Sequence, residues 1–525
     1  MSLPTLSRMP PKRFMASVVV LILSMGSALP VNAAPVGSEP RQAEVKLDGA
    51  PAPLFSPLKA QADVAFIRDR EVVRSHQVDI DINLLTSAAD LPPSAAAAGR
   101  VISLNLFDDA NFVAEADRVE RTSRGVTWVG RLRGIDLSQV VIIVNGDVVV
   151  GNISMPAGRY HIRFAGNGVH EVQEIDQALF PHDEPSVPIP PQTPDYGSSL
   201  QQQNTQPDDG STIDVMVVYS ATTRAAAGGT AAMQALIDLA ISETNQSYQN
   251  SGIVQRLRLV HSEEVSYAET GSLDDALSCI TAPSDGCIDN VHASRNTYGA
   301  DLVSFWVENG GPYCGLGWLL DTVSSSFSIY GFSTVARSCA TGYYSFAHEL
   351  GHNMGARHDV YVDSATTPYT YAHGYTYTAA ASPWRTVMAY NDACQAVGKI
   401  CTRIQYWSNP GLSYGGAAMG NATADNHQTL NNTAYTVANF RASGTAGTAD
   451  CVFNWAEFMH PNLFAPAGAV SQTLTPYYYR YYAGTNAYLG TSSADNQVYY
   501  LGPATGNTLL GVGPLSDWRT TAGCP

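Results

Sequence analysis

His348-Glu349-Leu350-Gly351-His352-Asn353-Met354-Gly355-Ala356-Arg357-His358-Asp359 decides how this chain of 525 residues is read. The spacing predicts a helix through the first half of the run. His348 and His352, four positions apart, then project from one face, a turn from each other, and reach the same metal ion. Glu349 sits between them, placed to meet a water beside the metal rather than the metal itself. Gly355 supplies the backbone freedom to end the helix and turn sharply, which brings His358 round as a third ligand. Three neutral nitrogen ligands leave a fourth tetrahedral position open, as a catalytic zinc needs and a structural one does not. The competing reading is an amphipathic helix whose histidines are merely hydrogen-bonded. The added glycine and third histidine at fixed offsets weigh against it.

The run resembles the long zinc motif of the metzincin metallopeptidases, in which a methionine turn follows beneath the metal. Trp384-Arg385-Thr386-Val387-Met388-Ala389-Tyr390 matches that turn, with Met388 thirty residues after His358. The resemblance implies that Met388 forms a soft, apolar floor under the imidazoles. Asp359, directly after the third histidine, is similar to the reprolysin-like branch, where such a residue fixes the loop beneath the zinc by hydrogen bonds without ligating it. The spacing of Met388 and Tyr390 is similar to that of astacin-like and serralysin-like metzincins, which implies a tyrosine that stabilises an oxyanion; a packed, hydrogen-bonded tyrosine is the alternative. Tyr406-Trp407-Ser408-Asn409-Pro410 looks like the stretch after the methionine turn in reprolysin-like enzymes. The strand Ile213–Tyr219, taken with the zinc run, also resembles the bacterial peptidyl-Asp metallopeptidases.

What the resemblance implies is a secreted zinc endopeptidase acting on protein or peptide substrates, with one catalytic Zn2+ on His348, His352 and His358 and with Glu349 moving the proton. A Ca2+ requirement is compatible with the sequence but does not follow from it. The peptidyl-Asp likeness implies cleavage on the amino side of Asp. A pocket for that side chain needs a cation, best an arginine fork gripping the carboxylate. Arg385 before the methionine turn, Arg403 after it and Arg337 on a possible edge strand are the candidates. The competing function class is a secreted binding or adhesion protein with a vestigial peptidase domain.

Composition fits export. Only 14% of residues are charged and the net charge of −17 argues against a nucleic-acid partner. Arg8, Lys12 and Arg13 precede an apolar stretch, Phe14 to Leu29, and Val31-Asn32-Ala33 places small residues before an expected cut after Ala33, the pattern of a signal peptide over residues 1–33. No other stretch is long enough to span a bilayer, so a secreted, membrane-free monomer is expected. All eight cysteines lie beyond residue 278. They fall into the near-neighbour sets Cys279 with Cys287, Cys314 with Cys339, Cys394 with Cys401 and Cys451 with Cys524. Bridges in an oxidising compartment are the natural reading, although eight thiols allow 105 pairings.

The expected organisation is α/β at the centre with flanking regions on either side. Residues 34–180 read as a β-rich propeptide: short β-branched runs alternate with turns, and Asn145-Gly146 is a hairpin signal. A stable accessory β domain is the alternative. No cysteine lies in this segment, so a thiolate lock on the zinc is excluded and latency would need another ligand, such as a carboxylate, or steric cover. Residues 181–211, rich in Pro, Gln, Ser and Asp, read as an exposed linker. Residues 212–445 read as a metzincin-type domain with a twisted, mostly parallel sheet, an Ala-rich helix from about Thr223 to Ser251, and an edge strand for substrate within Phe327 to Ala340. Residues 446–525 read as a small, disulfide-bracketed α+β module rich in tyrosine, whose aromatic residues make either a polymer-binding face or ordinary strand packing.

Overall fold

The computed structural model describes residues 51–58, 69–90, 101–189 and 209–441, apart from 123 and 380, and most of 449–522. The expected signal peptide lies outside the described residues.

The N-terminal β-branched runs form nine antiparallel strands: β1 (Phe55–Pro57), β2 (Val72–Ile80), β3 (Val101–Phe107), β4 (Ala110–Arg121), β5 (Val126–Leu132), β6 (Gln139–Asn145), β7 (Val148–Met155), β8 (Gly158–Gly166) and β9 (Val169–Ile175). Their order in the sheet is β1-β2-β9-β8-β7-β6-β5-β4-β3. Asn145-Gly146 turns β6 into β7, with Gly146 at φ 60°. Leu54 N donates to Ser103 O at 2.8 Å and Ser103 N to Ala52 O at 3.0 Å, which draws the two ends of the row together. One face buries Leu104, Leu106, Trp128, Ile142, Val144, Ile162 and Val172 in a core of their own.

The opposite face does not meet water. Val129, Val141, Ile143, Val148 and Val150 join Met233, Leu236 and Ile237 of the long helix Thr230–Ser251 in a second core. Burial on both faces explains why β6 reads as a continuous apolar run without alternation. Polar ties cross the same contact: Asn152 Nδ2 donates to Glu243 Oε1 at 2.8 Å and Arg118 Nη1 to Gln246 Oε1 at 2.6 Å.

The second sheet has the order β10-β14-β15-β13-β11-β12, built from β10 (Val187–Pro188), β11 (Thr212–Ser220), β12 (Arg256–Val265), β13 (Leu302–Val307), β14 (Gly315–Leu319) and β15 (Phe332–Ala336). Every pairing is parallel except β14 with β15. The region is thus mixed α/β with a mostly parallel sheet. Helices pack on it, among them Asn426–Val437 near the end of the region.

Three details depart from the sequence reading. The Ala-rich helix is two helices, Ala221–Ala226 and Thr230–Ser251, because Gly228 and Gly229 take φ of 95° and 110°, a backbone state that side chains resist. The strand within Phe327 to Ala340 is β15, which lies inside the sheet; the strand beyond it is β14, on which only the short β10 follows and which its glycines hide from the strand pattern. Finally, of the expected linker 181–211, Pro181–Pro188 is bound along β14 rather than free, while residues 190–208 lie outside the described residues. His182 O accepts from Cys314 N and Glu184 N donates to Gly315 O, both at 2.8 Å, and Asp183 is 1% exposed. An extended, proline-bearing segment satisfies the open edge of β14 by adding to it.

Disulfides join Cys279 to Cys287, Cys314 to Cys339 and Cys394 to Cys401. Cys451 and Cys524 lie outside the described residues. The C-terminal region carries a five-stranded antiparallel sheet from Val470–Leu474 to Leu510–Pro514. Alternation along Tyr477–Tyr482 sends Tyr478 and Tyr482 into a core with Phe453, Leu489 and Val498. Tyr477 meets Tyr499 on the other face, ring centroids 5.6 Å apart. No described helix is long and apolar enough to cross a membrane.

Candidate metal centre and cleft

The helix Ser345–Asn353 is buried at every residue. It starts after Tyr344 at φ 68°, and Gly355, at φ 88°, turns the chain out of it. A Cβ at Gly355 would also stand 2.9 Å from Pro368 Cγ, so both conformation and space call for glycine. Gly351 serves the packing: a Cβ there would meet Met388 Sδ at 2.9 Å and the Trp407 ring at 2.8 Å. Met388 is fully buried against this helix.

The turn brings His358 to the pair on the helix. The Nε2 atoms of His348, His352 and His358 lie 3.1, 3.1 and 3.0 Å apart. His348 Nδ1 donates to Val387 O at 2.9 Å and His352 Nδ1 to Ala356 O at 2.8 Å. A carbonyl can only accept, so the proton of each ring sits on Nδ1 and the Nε2 lone pair is free. Burial lowers the pKa of all three rings, that of His352 to about 4, which keeps them neutral. Three bare nitrogens converging within one ion's reach fit zinc.

Glu349 is fully buried, and neither carboxylate oxygen has a hydrogen-bond partner among the described residues. Burial raises its pKa well above the ordinary carboxylate value, and the nearby Asp183 charge raises it further. Room for the group comes from Gly315 on β14, where a Cβ would lie 2.4 Å from Glu349 Oε1. The same glycine that obscured the strand in the sequence makes space for the acid.

Asp359 Oδ2 accepts from Tyr390 N at 2.8 Å and Asp359 Oδ1 from Tyr361 N at 3.2 Å, tying the methionine turn to the loop that carries His358. The Tyr390 ring lies 4.0 Å from that of His358. Its hydroxyl donates to the backbone oxygen of Asp183 at 2.6 Å.

The three candidate arginines separate cleanly. Arg337 pairs with Glu308 at 2.6 Å and Asp69 at 3.0 Å and faces another part of the molecule. Arg385 donates to Ala389 O and to Tyr343 Oη at 2.9 Å, bracing the methionine turn. Arg403 alone faces a carboxylate in the cleft: it pairs with Asp183, whose other oxygen accepts from Ser345 Oγ at 2.5 Å. Arg385 and Arg403 stand side by side in register on the short strands Trp384–Arg385 and Thr402–Arg403. Asp183, Ser345 and Gly315 escaped the sequence reading; the one signal was the lone His-Asp-Glu between Pro181 and Pro185.

Residues 209–408 match the model of the reprolysin-type metallo-peptidase family M12. The peptidyl-Asp metalloendopeptidase of Stenotrophomonas maltophilia is 41% identical over 311 residues, 58% of this chain and 71% of that one. The enzyme of that name from Xanthomonas campestris is 39% identical over 320 residues, 61% and 74% of the two chains. That from Pseudomonas fragi is 39% identical over 199 residues, 38% of this chain and all of the other. The matched segment contains the three converging imidazoles, and the chain accordingly belongs to metallo-peptidase family M12 as a metzincin-like zinc metalloendopeptidase.

Proposed function

We propose that this enzyme is exported and cuts polypeptides on the amino side of Asp, with residues 34–180 acting as a propeptide, Pro181–Pro188 lying along β14, and residues 212–445 doing the chemistry. The observation that carries the chemistry is the 3.0–3.1 Å triangle of Nε2 atoms with an unpartnered Glu349 beside it. The relatives named for Asp specificity, together with a buried arginine facing a carboxylate, support the substrate preference. The disulfides fit an oxidising compartment.

His348, His352 and His358 hold the metal. When bound, zinc supplies Lewis acidity, acidifying a water and polarising the carbonyl to be attacked. Glu349 takes the proton of the attacking water and later delivers it to the departing amine. The Tyr390 hydroxyl donates to the developing oxyanion. Asp359 and Met388 hold the loop and floor that aim the rings.

The test is cleavage-site mapping on a denatured protein mixture, before and after limited proteolysis of the N-terminal region. Chelation should abolish cutting, zinc should restore it, and Asp should be enriched immediately after the cut. Cutting without Asp enrichment would discard the substrate assignment.

A further inference from the structure

We infer that the pocket formed by Arg403 and Ser345 beside His348 is where the enzyme reads the substrate's aspartate, and that Asp183 fills it in the uncleaved chain as a built-in, unproductively placed copy of that aspartate. This rests on the Asp preference proposed above and names the residues that would produce it.

The pocket is made for a carboxylate. The Asp183 side chain is wholly buried and its partner Arg403 almost so. Arg403 is itself held in place: Nη1 donates to Tyr343 O at 3.0 Å and the guanidinium lies 4.4 Å above the Tyr343 ring. Its backbone N donates to Gln177 Oε1 at 2.9 Å. Arg403 Nε is buried without a partner among the described residues. With Asp183 removed, Nη2 and Nε would form an open fork, a shape matched to a carboxylate and to no neutral side chain. Arg385 cannot take that role, since its own fork is committed to Ala389 and Tyr343.

The position suits the residue after the cut. Asp183 Oδ2 lies 3.8 Å from His348 Nδ1, on the ring edge away from the nitrogen that faces the metal. The Asp183 carboxylate clusters with His348 and Glu349, not with His352 and His358. It therefore sits beside the metal centre rather than capping it.

The segment resists its own enzyme for a visible reason. A cut on the amino side of Asp183 must attack the carbonyl of His182. That oxygen is spent on Cys314 N in the β14 ladder. The carbonyl that meets Tyr390 belongs to Asp183 itself, one bond too late. Phe180 stacks on Tyr343 at 4.3 Å and helps to anchor this register.

The test uses the full chain carrying Asp183→Asn, and the full chain carrying Asp183→Asn with Arg403→Gln, which removes both halves of the buried pair so that no lone charge is stranded. Two peptides differing only in Asp or Asn after the cut are compared by kcat/KM. Asp183→Asn should raise turnover of the Asp peptide about tenfold or more over the parent chain, with a preference for Asp over Asn of about 50-fold or more. In the double variant that preference should fall below about fivefold. Independently of activity, amide exchange at Glu184 and Cys314 in the zinc-stripped chain should quicken about tenfold or more with Asp183→Asn. A preference for Asp that survives in the double variant overturns the role of Arg403 and leaves the substrate reading standing. No preference in either chain overturns the substrate reading itself. Unchanged exchange and turnover in Asp183→Asn overturns the resident-copy half. Should the double variant not fold, Arg403→Lys replaces Arg403→Gln: the ratio should fall about fivefold or more through loss of the fork, and an unchanged ratio overturns the assignment.

Discussion

On one side of His348 stand uncharged rings; on the other stands a buried ion pair. The metal side comes from residues 348–358 with backbone carbonyls from Ala356 and Val387 fixing the proton positions. Its three rings are neutral before the metal arrives, so burying them costs less than burying a charge. The arginine side joins Arg403 and Ser345 to an aspartate more than 150 positions upstream in sequence. There the buried Arg403 charge is answered by the Asp183 carboxylate. The difference is one of dependence. The metal side is complete within the peptidase region, whereas the pocket is completed by Asp183, which lies outside it in sequence.

That contrast can be broken from either side. The largest effects belong to the metal side. Glu349→Gln should lower kcat by about a thousandfold or more while zinc content and fold persist. His358→Ala should strip the metal, and one zinc per chain by elemental analysis of that variant would remove His358 from the ligand set.

On the arginine side, Arg403→Ala in the full chain strands the Asp183 carboxylate in a dry pocket and should cost on the order of 3–5 kcal/mol in denaturant melts. Arg403→Gln combined with Asp183→Asn should cost distinctly less, because neither half remains charged. Equal costs would mean that the pair contributes nothing beyond packing.

Cys314 adjoins β14 and Cys339 precedes the active-site helix, with a separation of 25 residues. Replacing both by serine should cost roughly 3 kcal/mol through the freed loop and loosen the edge on which residues 182–188 lie.

The last effect is a slope. Burial raises the pKa of Glu243, which bridges Asn152 and Gly342, from 4.5 to about 7. A raised acid pKa means that the folded chain holds a proton the unfolded chain has released. Its contribution is therefore intact below pH 4.5 and is lost as the pH rises towards about 7. Glu243→Gln should flatten stability against pH across that window; an unchanged slope would place the titration elsewhere.

The same contrast explains what could be read before any coordinates. The metal centre is local: two ligands share one helix face, a glycine makes the turn, and a third ligand follows at once. Such geometry is written in spacing. In the nine-stranded region β3, β5, β6, β7 and β8 were legible for the same reason, as was the Asn145-Gly146 turn, whereas β1, β2, β4 and β9 were not singled out. Which arginine faces a carboxylate in the cleft was not legible, because Arg337, Arg385 and Arg403 are alike in sequence and differ only in what folding brings to them. β14 was missed because Gly315 answers to Glu349 rather than to strand packing. Residues 181–188 look like linker because prolines exclude helix, and the sequence does not say that an unpaired edge awaits them.

The most direct test is an anomalous-scattering map of the full chain crystallised with zinc. One peak should lie about 2.0–2.1 Å from the Nε2 atoms of His348, His352 and His358, with the Asp183 carboxylate on Arg403 and outside that sphere. A peak lacking any of the three nitrogens, or an Asp183 oxygen bound to the metal, would contradict the account.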